Sequence, residues 1–281
     1  MKYRTFGHTS TKVSVIGQGT WNMESLSNRE FSRVIHRGLE LGMTHIDTAE
    51  MYGNGQVEVL LGKTIQKERN NLFLVSKVLP SNASRNNTIQ ACERSLQRLK
   101  TEYLDCYLLH WLGPHPLEET FAAFEELQDA GKIRSWGISN VDEHELARAI
   151  ELASKEHIAC NQVLYHLKER AVEHAVLPFC AQHDVALVAY SPFGSGRFPA
   201  ANSRAGRLLA PIAKRHSASP RQIALAFLIR HPSVFAIPQT SQVSHVEDNA
   251  LAAQIVLSDE DIEQIDQACP LGPRREGVPT L

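Results

Sequence analysis

The sequence has no excess of charge of either sign, no apolar run of membrane length and no paired cysteines. Its 281 residues carry 29 Lys and Arg against 31 Asp and Glu, a formal net charge of -2. No basic field therefore points to nucleic acid, and no acidic tail points to disorder. No apolar stretch approaches the ~20 residues of a spanning helix, and Met1-Lys2-Tyr3-Arg4-Thr5 does not read as a secretory signal. The five cysteines, Cys92, Cys106, Cys160, Cys180 and Cys269, are scattered and odd in number, with no C-x-x-C pair. They read as buried free thiols of a cytoplasmic protein, not as a disulfide framework or a zinc site. Internal repeats, low-complexity segments and linker-like breaks are also missing. These absences argue against nucleic-acid and membrane partners and leave a globular protein, a monomer or weak homo-oligomer, of one large or two ordinary domains.

What the chain does have is an alternation of strand-like and helix-like segments from Val13 onward. Val13-Ser14-Val15-Ile16-Gly17 reads as the first strand, with a hairpin around Tyr3 to Lys12 before it. Further strands are expected at His45 to Asp47, Leu72 to Lys77, Tyr103 to Leu109, Ile133 to Ser139, Ala159 to Tyr165, Ala186 to Tyr190 and Val234 to Pro238. Ser27 with Glu30 three residues on is a capping box, and Phe31, Val34, Ile35 and Leu39 recur on one helical face behind it. Helices are expected from about Gln56 to Gln66 and from Asn87 to Leu99, along the stripe Leu117, Phe121, Phe124 and Leu127, and after Asn140 as a cap. A long loop follows from Ser191 to about Ser203. Ser219-Pro220-Arg221-Gln222 opens another helix, Val246 to Ile255 forms the next, and a last one starts near Ser258 before a loop-like tail from Pro270.

Eight strands each followed by a helix predict one closed (β/α)8 TIM barrel over residues 1–281, since repeated strand-helix units join parallel strands. An open doubly wound sheet is the competing fold. Against it, Gly17-Gln18-Gly19-Thr20-Trp21-Asn22 has asparagine where the third glycine of a dinucleotide fingerprint belongs. Gly62-Lys63-Thr64 looks like the end of a phosphate loop, but Val57 occupies the position of the required first glycine.

In such a barrel the carboxyl ends of the strands share one rim, and chemistry sits there. Asp47, Lys77 and His110 end three consecutive strands, and Tyr52 overhangs from the loop after the first of them. Taken singly, each has an ordinary structural use: a helix cap, a strand reaching water, a loop aromatic, a core-edge histidine. Their joint placement favours a site. A phenol near pKa ~10 is a poor acid at neutral pH, but an adjacent ammonium is expected to lower that value. Asp47 would hold Lys77 charged, and His110 would orient a carbonyl oxygen. Such a quartet suits protonating an oxygen while a hydride arrives from a cofactor. A barrel hydrolase or lyase using His110 and Asp47 with a metal is the rival chemistry. There is, however, no H-E-x-x-H, and His110 and His115 lie on a proline-containing loop with no third ligand nearby.

These residues carry a resemblance. Gly42-x-x-x-Ile46-Asp47-Thr48-Ala49-x-x-Tyr52-Gly53, Leu74-Val75-Ser76-Lys77 and Leu108-Leu109-His110 resemble signature segments of the aldo-keto reductases, NAD(P)H-dependent carbonyl reductases on a TIM barrel. The resemblance covers essentially the whole chain. It implies Tyr52 as general acid, supported by Asp47, Lys77 and His110. It implies Gly19 and Thr20 beside the nicotinamide, Ser139, Asn140 and Gln162 on its carboxamide, and Tyr190 stacked on its ring. Ser191, Phe193 and Ser195 would lie near the pyrophosphate, and Trp21, Met51, Tyr52, His110 and Trp111 would line the substrate pocket. A family member without strong turnover, serving as a nucleotide-sensing subunit, is the alternative within the same fold.

The sequence departs from the family pattern after the eighth strand. Many members read Ile-Pro-Lys-Ser there, then an arginine, and the two cations hold the adenosine 2'-phosphate. This chain reads Ile237-Pro238-Gln239-Thr240, then His245, Asp248 and Asn249. An amide and an imidazole attract a phosphate dianion poorly. The expectation is NADPH with a relaxed preference that admits NADH, with Arg197, Arg204 or Arg207 as candidate replacement cations. Asn161-Gln162-Val163-Leu164-Tyr165-His166 and Leu109-His110-Trp111 resemble most the bacterial methylglyoxal reductase and diketogluconate reductase members. Small aldehydes or 2-oxoaldehydes such as methylglyoxal are the expected substrates, and the short tail beyond Ser258 is expected to contribute little to the pocket wall.

Overall fold

The computed structural model describes residues 1–153 and 158–281. β1 (Tyr3–Thr5) and β2 (Lys12–Ser14) pair as an antiparallel hairpin outside the main sheet. There follow β3 (Gln18–Gly19), α1 (Asn28–Glu40), β4 (His45–Asp47), α2 (Gln56–Thr64), β5 (Phe73–Val78), α3 (Arg85–Leu99), β6 (Cys106–Leu109), α4 (Leu117–Asp129), β7 (Trp136–Ser139) and α5 (Glu143–Ala153). The second half adds β8 (Ile158–Leu164), α6 (Val176–Gln182), β9 (Ala186–Tyr190), α7 (Arg204–Arg215), α8 (Pro220–Leu228), β10 (Val234–Ile237), α9 (Val243–Leu251) and α10 (Asp259–Ala268). Strands β3 to β10 pair in chain order, all parallel. The ring closes where the N–H groups of Gly17 and Gly19 donate to the carbonyls of Ala236 (2.8 Å) and Pro238 (3.1 Å). A Cβ on Gly19 would lie 2.7 Å from the Ile237 carbonyl oxygen, so this seam needs glycine.

Two apolar layers hold the barrel. Helix faces such as Phe31, Val34 and Ile35 of α1 pack against the outward-facing strand residues. Inward-facing Phe73, Val75, Cys106, Leu108, Cys160, Val188 and Phe235 fill the interior, together with Phe6 and Val13 from the hairpin. Phe6 packs 4.7 Å from Phe73 and 5.1 Å from Phe235, ring centre to ring centre. The barrel is thus plugged at its amino-terminal end, leaving the opposite rim for a cavity.

The structure corrects several expected boundaries. The segment from Val13 to Gly17 is divided: Lys12–Ser14 belongs to the hairpin, whereas Val15 to Gly17 already pairs with β10, Ile16 bridging Ala236 in parallel, and β3 continues the barrel from Gln18. The capping boxes at Ser27, Ser219 and Ser258 are all formed. Asn140 does not cap α5; Asp142 does, its Oδ1 accepting from the N–H groups of His144 (3.0 Å) and Glu145 (2.9 Å). Helix α7 was not expected. Ser203 caps it, its Leu209, Ile212 and Ala213 are buried, and Pro211 sits inside it. All five cysteines are buried free thiols. Among the described residues no helix is long and apolar enough to cross a membrane.

His45, the first residue of β4, is fully buried between Phe6 and Phe73, and neither ring nitrogen has a hydrogen-bond partner. Burial pulls its pKa down to about 4; Asp47 pushes the other way and Lys77 adds to the lowering. The folded value lies below the unfolded one of ~6.5. The contribution of the neutral ring is therefore intact above pH ~6.5 and is lost as the pH falls through about 4. His45→Leu should remove up to roughly 3 kcal/mol of this acid sensitivity, read as a smaller difference in urea-unfolding free energy between pH 7 and pH 4.

Candidate active site

The pleat and register of the parallel sheet bring three ionisable side chains to one rim. Asp47 closes β4, Lys77 is the penultimate residue of β5, and His110 directly follows β6. Lys77 is completely buried. Its Nζ donates to Asp47 Oδ1 at 2.5 Å, to the Thr48 carbonyl at 2.8 Å and to the Tyr52 hydroxyl at 3.3 Å. Asp47 Oδ2 accepts from Gln162 Nε2 of β8 at 2.7 Å, so both carboxylate oxygens are engaged. The ammonium has three donors and three acceptors around it.

Tyr52 reaches this cluster because the loop after β4 is bonded onto the next strand. Thr48 N–H donates to the Val75 carbonyl (2.9 Å) and Glu50 N–H to that of Lys77 (3.3 Å). The Glu50 carboxylate accepts from the Leu79 N–H (2.7 Å) and Asn82 Nδ2 (2.9 Å). Tyr52 then opens a short 3-10 turn, Tyr52–Gly55, whose Asn54 adopts φ 50°. The His110 ring stands edge-on to Tyr52 at 6.0 Å and 74°, and 4.8 Å from Trp111.

The protonation states follow from competing effects. Burial opposes the Lys77 ammonium, but Asp47 and Tyr52 outweigh it and its pKa rises. For Tyr52 the balance goes the other way. Burial raises the phenol above its ordinary value, and although Lys77 pulls it down, burial and the Asp47 charge prevail. The lowering expected from the neighbouring ammonium is present but does not win. Burial, reinforced by Lys77, drives His110 down to about 2, so its imidazole is neutral. The rim therefore presents a charged ammonium, a protonated phenol and a neutral imidazole.

A cavity of about 500 Å³ opens above these groups. Asp47, Tyr52 and His110 line it, whereas Lys77 lies behind the wall. Trp21, Met51 and Trp111 line it too, as do Gly19, Thr20, Ser139, Asn140, Gln162, Tyr190, Ser191 and Gln239. Thr20 Oγ1 donates to the Asp47 carbonyl (2.8 Å) and Ser139 Oγ to that of Gln162 (2.7 Å). Asn140, at φ 60°, turns its side chain across the rim. Its Nδ2 donates to the His110 carbonyl (3.1 Å), and its Oδ1 accepts from the Tyr190 hydroxyl (2.9 Å). Burial pushes the Tyr190 phenol up to about 12, while a hydrogen bond with the Leu281 backbone works against it.

Phe193, Ser195, Thr240, His245, Asp248 and Asn249 lie outside this cavity. Ser195 Oγ donates to Ser191 Oγ (3.1 Å), both residues having φ near 50°. Thr240 Oγ1 lies 3.3 Å from His245 Nδ1. Asp248 Oδ2 accepts from Ser219 Oγ (2.8 Å), which ties α9 to α8. Asn249 is buried behind Thr240. The sequence reading missed Leu112, Glu145, Ile237, Thr280 and Leu281, all in the cavity wall. The tail reaches the cavity after all. His174 Nε2 meets the Gly272 carbonyl at 3.0 Å, and Arg274 and Arg275 pair with Glu143 and Glu169.

The fold and this rim define a reductase barrel, and comparison with known proteins agrees. The aldo/keto reductase family profile matches residues 15–269, and the chain belongs to that family. It is 42% identical over 260 residues to methylglyoxal reductase YeaE of Escherichia coli (strain K12), covering 92% of each chain. An aldo-keto reductase from Klebsiella pneumoniae, solved in complex with NADPH, superimposes with a TM-score of 0.93 at 39% identity over the full length of both chains. A putative 2,5-diketo-D-gluconic acid reductase B gives 0.84 at 28% identity, covering 99% of this chain and 96% of that one. The protein is therefore an NAD(P)H-dependent oxidoreductase acting on carbonyl compounds.

Replacing Lys77 by Met would leave the Asp47 carboxylate buried without its cation. That change should cost about 3–5 kcal/mol of unfolding free energy in a denaturant titration. Replacing both partners, Asp47→Asn with Lys77→Met, should recover part of the loss.

Proposed function

We propose that the protein reduces small neutral aldehydes and 2-oxoaldehydes such as methylglyoxal to alcohols, with Tyr52 as the general acid and NADPH as the principal reductant. The observation that carries this reading is the position of the Lys77 ammonium between the Asp47 carboxylate (2.5 Å) and the Tyr52 hydroxyl (3.3 Å), at the wall of the cavity. The phenol keeps its proton until a carbonyl oxygen is ready to receive it. As the proton leaves, the neighbouring ammonium stabilises the phenolate that remains. His110, held neutral, offers a hydrogen bond to the same oxygen without competing as a cation.

The nicotinamide nucleotide supplies the hydride when bound. The residues present fit it: Asn140 and Gln162 put amide groups, and Ser139 a hydroxyl, on the rim beside Tyr190, whose ring borders the same cavity. Gln239 and His245 stand where the family usually has cations, which supports a modest preference for NADPH over NADH. Five unpaired buried thiols suit a cytoplasmic setting.

The cavity also bears on substrate charge. Its lining includes no Lys or Arg; Asp47 is neutralised there by Lys77, and Glu145 adds a carboxylate with no cation partner among the described residues. Glu145 is fixed there because its Oε2 accepts from the Asp142 N–H (3.1 Å). Such a wall disfavours anionic carbonyls such as diketogluconate and leaves neutral 2-oxoaldehydes as the better fit.

Two measurements test the reading. Tyr52→Phe removes only the transferable proton and should lower kcat for methylglyoxal reduction by about 10²–10⁴-fold with an unchanged Kd for NADPH. Near-normal turnover in this variant would rule Tyr52 out as the acid. In the wild type, kcat/KM for methylglyoxal should exceed that for 2,5-diketogluconate by about tenfold or more. Glu145→Gln should narrow the gap, and equal or reversed values would sink the argument from charge.

A further inference from the structure

The adenosine end of the nucleotide site lacks the two cations usual in the family, and none of the three loop arginines is an obvious replacement. Arg207 donates to the Asn202 backbone carbonyl in its own turn. The charge of Arg197 is felt at His166, after β8. Arg204 opens α7, behind the capping Ser203.

A fourth arginine is better placed. We infer that Arg221, in the first turn of α8, supplies the cationic contact for a phosphate on the adenosine ribose, and so sets whatever preference this protein has for NADPH over NADH. The inference rests on the nucleotide-binding reading above. Three observations carry it. The Arg221 guanidinium lies 5.0 Å from the Phe198 ring and 5.9 Å from that of Phe193, both on the loop between β9 and α7. This stacking holds a flexible side chain over that loop. The first turn of α8 is also fastened to α9, because Ser219 Oγ donates to Asp248 Oδ2 (2.8 Å) and Gln222 Nε2 to the Asp248 carbonyl (3.0 Å). Arg221 therefore sits at the junction of the loop, α8 and α9, beside the helix that carries His245. Finally, Arg221 is exposed and has no ion pair among the described residues, whereas Arg37, at the far side of α9, is taken by Glu40 and Glu247. A stacked guanidinium without a carboxylate partner is what a phosphate dianion binds best, through two parallel N–H donors.

No local pattern points to this role, because Arg221 stands inside a capping box and reads as a solvent-exposed first-turn residue.

The test is calorimetric titration of the purified protein with adenosine 2',5'-bisphosphate, 5'-AMP and NADPH, which reads binding without turnover. The wild type should bind the bisphosphate about tenfold more tightly than 5'-AMP. Arg221→Ala should erase that difference and weaken NADPH to the same degree, leaving 5'-AMP unchanged. Arg221→Lys should keep part of it, and Arg204→Ala should keep all of it. An Arg221→Ala protein that still favours the bisphosphate tenfold overturns the inference. So does equal weakening of both nucleotides, which would mean that Arg221 contacts only the base. Tyr52→Phe serves as the separating control: it should bind all three like the wild type. A wild-type protein that binds none of them removes the nucleotide reading, and this inference with it.

Discussion

Everything at the rim depends on the buried ion pair between Asp47 and Lys77. Two full charges removed from water are expensive unless each remaining hydrogen-bonding position is filled. Here Gln162 reaches across the barrel to the free carboxylate oxygen, and the Thr48 carbonyl and Tyr52 hydroxyl complete the ammonium. The same pair also acts on the protonation of its neighbours. Without Asp47, burial would push Lys77 toward the neutral amine. Without Lys77, His110 would lose the cation that reinforces its neutrality and the Tyr52 phenol the charge that opposes its upward shift. One contact between adjacent strands thus keeps the Lys77 ammonium charged, while burial, the larger effect, keeps the phenol protonated and the imidazole neutral.

The location of this pair follows from how the barrel is filled. Phe6 and Val13 enter from the hairpin and, with the inward side chains of the strands, make the interior dry and apolar. His45 marks the lower limit, buried among aromatic rings two residues before Asp47 on the same short strand. Polar groups can gather only above this plug. Because all eight strands are parallel, the residues that end them gather at the same height. Asp47, Lys77, His110, Ser139, Gln162 and Tyr190 are far apart in sequence, yet they meet at the rim for this reason alone.

That regularity explains what could be read from the chain. Alternating strands and helices imply parallel pairing, parallel pairing implies a common rim, and ionisable residues closing apolar strands stand out. The capping boxes at Ser27 and Ser219, and the helix start near Ser258, were equally legible because their chemistry is local. What escaped was set by contacts between distant segments. The apolar run from Val13 to Gly17 is shared between the hairpin and the seam with β10, where Gly17 and Gly19 must fit. Asn140 looked like a cap, but its left-handed backbone turns it toward His110 and Tyr190, and Asp142 takes the capping place. The link from Gln162 to Asp47 spans 115 residues, and no local pattern announces it. The tail crosses the rim through ion pairs from Arg274 and Arg275 that composition alone does not reveal.

The distribution of the indoles gives the molecule a built-in optical reporter. Of its three tryptophans, Trp21 and Trp111 stand partly exposed at the cavity, while Trp136 is sealed beneath α4 against Phe121 and Phe124. Occupants of the cavity will quench or shift the emission of the first two and leave the third as a constant background. Intrinsic fluorescence therefore follows events at the rim directly, with no label attached to the buried thiols.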